Sequence, residues 1–158
     1  MTGDPSNNTS EAGQSGAQKT PAIGIIGLGG VAEAHLQGFA LLDNLNIVSL
    51  CDVRADVAET IANRYGAKFY TDYHKLLKAD DVDLVLVLTP ASTHRRIVGD
   101  VAAAGIDVFC EKPLAVSLVD GEAMVSDCHK ADVKFFYGSC YRYLPAIVKA
   151  KQLIESGQ

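Results

Sequence analysis

An apolar run, Ile23-Gly24-Ile25-Ile26, passes without a break into Gly27-Leu28-Gly29-Gly30-Val31-Ala32 and then into a helix-forming stretch over residues 30–42. A strand that turns this sharply into a helix, through a G-x-G-x-x-A sequence, leaves few folds open. Gly27 permits the tight bend. Gly29 has no side chain, so an approaching anion can reach the backbone. Ala32 is small enough to let the helix pack close to the strand. The unpaired N–H groups and the positive dipole end at the start of that helix then face the anion, which in such a turn is the pyrophosphate of a dinucleotide.

A glycine turn alone is weak evidence, because glycine punctuates many loops and the turn can serve packing only. Its context is what matters. A second apolar run (Ile47, Val48, Leu50) ends in Asp52, about 25 residues after Gly27, where an acid accepts hydrogen bonds from the adenosine ribose hydroxyls. A carboxylate there opposes the 2′-phosphate of NADP. Like charges about 4 Å apart repel by roughly 4 kcal/mol at an effective dielectric near 20. NAD is therefore favoured over NADP, although Arg54 can swing over and offset part of that repulsion.

From Pro21 onward, strands and helices alternate. Strands are expected at 22–26, 47–51, 67–70, 82–88, 106–110 and 133–137, and helices at 30–42, 55–65, 72–77, 92–104, 118–131 and 145–156. Gly66, Gly105 and Gly157 read as helix stops. The pattern predicts one α/β domain over residues 21–158, a doubly wound parallel sheet (Rossmann fold) with strand order 3-2-1-4-5-6. Ligands in such sheets bind beyond the carboxyl ends of the strands, so Gly27, Asp52, Thr89 and Glu111 should meet in one cleft.

Residues 1–20 are rich in Ser, Gly, Asn, Gln and Thr, and read as a disordered tail with no basic or apolar leader region. The net charge of −5, with no basic stripe, argues against a nucleic-acid partner. No apolar run approaches the roughly 18 residues of a membrane span. Cys51, Cys110, Cys128 and Cys140 contain no C-x-x-C pair. They read as core or near-core thiols of a cytoplasmic protein, with no metal site.

Three further segments sit at strand ends: Thr89-Pro90 with His94 four residues on, Glu111-Lys112-Pro113, and Tyr141-Arg142-Tyr143. Taken with G-L-G-x-x-A-x-x-H at Gly27 to His35, they make the chain from Pro21 to Gln158 resemble the Gfo/Idh/MocA family of NAD(P)-dependent oxidoreductases. The resemblance implies a dehydrogenase that moves a hydride between a nicotinamide and a sugar, polyol or related hydroxyl compound. It implies that Lys112 is the catalytic or substrate-orienting lysine, and that Glu111 lines the nicotinamide pocket. The ammonium of Lys112 can stabilise the alkoxide that develops as hydride leaves carbon, and Pro113 restricts and aims it. Thr89 and Pro90 would border the cofactor. His94 would contact it or cap the local turn, and Arg142 would lie near nicotinamide and substrate, or else pair at a helix start. With Gly27, Leu28, Gly29, Gly30, Val31, Asp52 and Arg54, these complete the expected cofactor contacts. His35 reads as a packing residue, and His74 and His129 as surface residues.

The family pattern also implies a second α/β domain, with an Asp-x-x-x-His pair, that builds the substrate pocket and the oligomer interface. The sequence ends at Gln158, where that domain would begin. The expectation is thus a truncated enzyme that binds dinucleotide and turns over sugars poorly alone, forming a homo-oligomer only where that domain is present. Two alternatives stand beside it. One is a non-catalytic dinucleotide sensor. The other, an S-adenosylmethionine fold, is disfavoured by the E-K-P and T-P-x-x-x-H motifs.

Overall fold

The computed structural model describes residues 19–79 and 82–157. The expected tail lies outside the described residues except for Lys19 and Thr20. Lys19 Nζ pairs with Asp83 Oδ1 at 2.8 Å.

Among the described residues, six strands form a single parallel sheet: β1 (Ala22–Ile26), β2 (Asn46–Cys51), β3 (Lys68–Tyr70), β4 (Leu84–Val87), β5 (Asp107–Glu111) and β6 (Phe135–Gly138). Their order is β3-β2-β1-β4-β5-β6, as the alternation predicted. Among the described residues, six helices connect and follow them: α1 (Gly30–Phe39), α2 (Ala55–Tyr65), α3 (Tyr73–Ala79), α4 (Ala91–Ala103), α5 (Leu118–Lys130) and α6 (Pro145–Glu155).

The central strands are apolar on both faces because helices cover both. Side chains alternate along each strand. On β1, Ile23 and Ile25 pack with Ala32 and Leu36 of α1 and with Ala58 and Ala62 of α2, whereas Ile26 faces the opposite cluster. On β4, Leu86 joins the first cluster. Val85 and Val87 join the second, with Leu76 of α3, Ile97, Val98 and Val101 of α4, and Met124 and Cys128 of α5. Ala32 is fully buried, as a close helix–strand contact requires.

The register decides which residues emerge together. Ile26 lies opposite Cys51 on one side and Val87 on the other, and Val87 lies opposite Cys110. The chain therefore leaves four adjacent strands at nearly one level, at Gly27, Asp52, Leu88 and Glu111.

Several boundaries differ from the sequence reading. Helix α1 stops at Phe39 rather than continuing to residue 42. Leu41 N–H turns back to the Gly38 carbonyl, and Leu41 and Leu42 are exposed, so their apolar character finds no core. β5 extends to Glu111, because Glu111 still pairs with Gly138 of β6. A 3-10 turn (Cys140–Tyr143) was not anticipated. It leaves Cys140 exposed, which corrects the expectation of four core thiols, while Cys51, Cys110 and Cys128 are buried. Gly66 is left-handed (φ 62°) and ends α2 as expected.

Candidate cofactor site

Gly27 has φ +94°, and a Cβ there would lie 2.8 Å from Thr89 Cγ2 and 2.9 Å from the Leu88 carbonyl carbon. Both the backbone twist and the neighbouring strand end therefore require glycine. Its N–H donates to the Cys51 carbonyl (2.8 Å), which locks the turn to β2. Gly29 and Gly30 differ, since a Cβ on either would meet nothing within 4 Å. Their backbone borders open space. Gly29 is the N-cap of α1, and no side chain caps that helix. The helix start thus keeps N–H groups available for an anion.

That open space is a cavity of about 800 Å³, within the usual range for ligand sites. Gly27, Gly29, Gly30 and Val31 line one wall, Asp52 and Arg54 another, and Thr89 and Pro90 a third. Of the four strand-end residues expected in one cleft, Gly27, Asp52 and Thr89 line it and Glu111 does not.

Asp52 is almost wholly buried and accepts four hydrogen bonds. Oδ2 takes Leu28 N–H (2.8 Å) and Arg54 Nη2–H (3.1 Å), and Oδ1 takes Arg54 N–H (3.0 Å) and Arg54 Nε–H (2.9 Å). The Arg54 side chain holds the carboxyl well below its usual range, at about 2, with help from the two backbone donors and against the opposing effect of burial.

Leu28 is itself buried among core residues, and only its backbone reaches the site. His94 is fully buried and does not face the cavity. Its Nε2 lies 2.8 Å from the Thr89 carbonyl oxygen. Its Nδ1 lies 3.1 Å from the Leu114 carbonyl oxygen and 3.2 Å from Cys110 Sγ. Burial pushes the Cys110 thiol up to about 12, so it remains an S–H. Of the two expected roles for His94, the geometry supports the bracing one: it ties the end of β4 to the loop after Lys112.

Glu111 is buried, accepts the Lys112 N–H on its carboxylate, and has Oε1 3.5 Å from His35 Nε2. His35 stacks edge-on against Phe109, so its packing reading gains a polar contact. Lys112 is exposed and precedes a cis peptide bond to Pro113. Glu111 and Lys112 lie beyond the cavity, at the end of β5. From β2 to β5 is three strand spacings, about 14 Å, so the two ends suit an elongated ligand. Arg142, on the 3-10 turn past edge strand β6, is exposed and farther out still.

The sequence reading missed the cavity's outer wall of Thr71, Asp72, Tyr73, His74, Arg96 and Ile97. His74 is thus more than a surface residue. Tyr73 O–H donates to Asp100 Oδ2 (2.6 Å), and the Arg96 guanidinium lies 5.7 Å from the Tyr73 ring. Burial, reinforced by Asp100, pushes the Tyr73 phenol up to about 12. These residues come from the segment around the start of α3 and from α4, far apart in sequence, so no local motif announced them. Among the described residues, no group of three or more His, Cys, Asp or Glu side chains is placed to hold a metal ion. No described helix is long and apolar enough to cross a membrane.

A parallel sheet in this order, with a glycine turn open to a cleft and an acid at the end of the second strand, defines a dinucleotide-binding α/β domain. Residues 22–139 match the oxidoreductase family, NAD-binding Rossmann fold, and the chain belongs to that family, Gfo/Idh/MocA. It is 36% identical over 136 residues to the myo-inositol 2-dehydrogenase of Thermotoga maritima, which covers 85% of this chain and 41% of that protein. It is 32% identical over 134 residues to the D-apiose dehydrogenase of Paraburkholderia graminis, covering 84% and 36%. The fold matches the crystal structure of the WlbA dehydrogenase from Bordetella pertussis in complex with NADH and UDP-GlcNAcA. The TM-score is 0.84 and the identity 27%, over 87% of this chain and 42% of that one. The chain spans about two fifths of the length of the curated relatives it matches. It is an NAD-binding Rossmann domain.

Proposed function

We propose that residues 21–158 hold NAD for hydride transfer at a secondary hydroxyl carbon of a sugar, polyol or related compound in the cytoplasm. The observation that carries this reading is the common level at which β1, β2, β4 and β5 end. It lines up the open glycine turn, Asp52, Thr89 and Lys112 along one rim. The sugar and polyol substrates in the names of the two dehydrogenases above support the substrate class. The buried free thiols suit a reducing compartment.

The nicotinamide, when bound, supplies the hydride acceptor or donor. The chain's residues bind, orient and polarise. Backbone N–H groups at Gly29, Gly30 and Val31 take the pyrophosphate. Asp52 accepts from the adenosine ribose hydroxyls, and Arg54 flanks them. Thr89 and Pro90 border the middle of the cofactor. Glu111 closes the nicotinamide end. Lys112 Nζ donates to the substrate hydroxyl oxygen and favours its developing negative charge. His94 is a positioning residue for Thr89 and for the loop that carries Lys112. Arg142 stands on the substrate side.

Titration calorimetry of the purified chain tests the cofactor part. One NAD site is expected, with NADP weaker by about tenfold or more, from repulsion at Asp52. In saturation-transfer NMR with NADH present, myo-inositol should show contact with the wild type and lose it in Lys112→Ala, whose NAD affinity stays within about twofold. Equal NAD and NADP affinities would refute the Asp52 assignment, and unchanged polyol contact would refute that of Lys112.

A further inference from the structure

We propose that Arg54 is a latch on the adenosine ribose subsite, its guanidinium taking up acceptor positions on Asp52 that a ribose diol needs. The inference rests on the reading of Asp52 as the ribose acceptor and adds a control on affinity at that site.

Each carboxylate oxygen has about two lone-pair sites. On Oδ2 they go to Leu28 N–H and Arg54 Nη2–H, and on Oδ1 to Arg54 N–H and Arg54 Nε–H. The two backbone donors are fixed by the fold. The other two belong to one side chain, and no acceptor position remains for a diol until that side chain leaves.

The side chain is free to leave. It is 55% exposed, whereas that of Asp52 is only 8% exposed. Its remaining contact, Nη2 to the Leu28 carbonyl oxygen, is long at 3.5 Å. Arg54 is the N-cap of α2 but makes no side-chain cap bond, so the helix start does not depend on it. It lines the same cavity as Gly29 and Asp52. Asp52, by contrast, is too buried to stand without donors. Ribose arrival and guanidinium departure are therefore one exchange, and the latch subtracts from NAD affinity. As an ion pair with one solvent-facing partner, it weakens as salt rises.

Calorimetry on the wild type and Arg54→Ala tests this with two probes, NAD and nicotinamide mononucleotide, which lacks the adenosine ribose. At low ionic strength Arg54→Ala should bind NAD about two- to fivefold more tightly, the worth of a solvent-facing ion pair. The two proteins should converge near 1 M salt, where the Debye length is about 3 Å. Nicotinamide mononucleotide should bind both alike. In the wild type, the Arg54 Nε–H resonance should be protected from exchange without NAD and lose protection with it. An Arg54→Ala protein that binds NAD no more tightly, or whose gain is indifferent to salt, would overturn the latch. If neither folded protein bound NAD, the cofactor reading would fall as well.

Discussion

Gly27 and Gly29 share a motif but do different physical work. Gly27 is held by its positive φ and by the Leu88–Thr89 backbone beneath it, whereas Gly29 faces open space. Gly27→Ala should therefore both unfold more easily, by at least about 2 kcal/mol, and lose NAD binding. Urea melts and titration together read both effects. A residue such as Ala at position 29 meets no protein atom, so its cost should appear in cofactor binding with stability nearly intact. Parallel measurements on Gly29→Ala separate the two roles. The sequence motif named both glycines, but only the fold shows which neighbour each one answers to.

At the scale of elements, periodicity located every strand and helix, and errors gathered at their ends. Apolar side chains at Leu41 and Leu42 extended the expected first helix because a sequence shows hydrophobicity without showing whether a core lies in reach. Ser117 is a case where local chemistry suffices. Its Oγ accepts the Asp120 N–H at 3.1 Å and caps α5. Ser117→Ala should cost about 1 kcal/mol, read as a lower urea midpoint with NAD affinity unchanged. A simultaneous loss of NAD affinity would mean that α5 also sets the position of the Lys112 loop just before it. That loop is braced from behind by His94, whose two ring nitrogens face the Thr89 and Leu114 carbonyls. Such a contact spans α4 and the segment after β5, and no single stretch of sequence announces it.

For the molecule as a whole, the buried acid of the cofactor rim enters the stability balance. The folded-state pKa of Asp52 is depressed to about 2, below the roughly 3.9 of an unfolded aspartate. Its contribution is therefore complete above about pH 4 and is lost as pH falls toward 2. About 1–2 kcal/mol is expected, less than the full shift implies because the Arg54 partner is half exposed. Asp52→Asn should flatten the fall in urea-unfolding stability across that window. Asp83, also depressed, by the Ala22 N–H and Lys19, supplies a background slope that the variant keeps.

The sequence by itself determined the sheet order, the glycine turn, the acid that follows the second strand and the family. These rest on short-range patterns: alternation of apolar residues, residues tolerant of positive φ, and spacing along the chain. Tertiary structure alone decided that Asp52 is buried against the Leu28 N–H, that His94 lies behind the rim rather than on it, and that Tyr73, His74 and Arg96 close the cavity. Those outcomes depend on which groups meet when segments 20 to 30 residues apart come together on one sheet. Burial and hydrogen-bond capacity are properties of that assembled neighbourhood and of no segment within it.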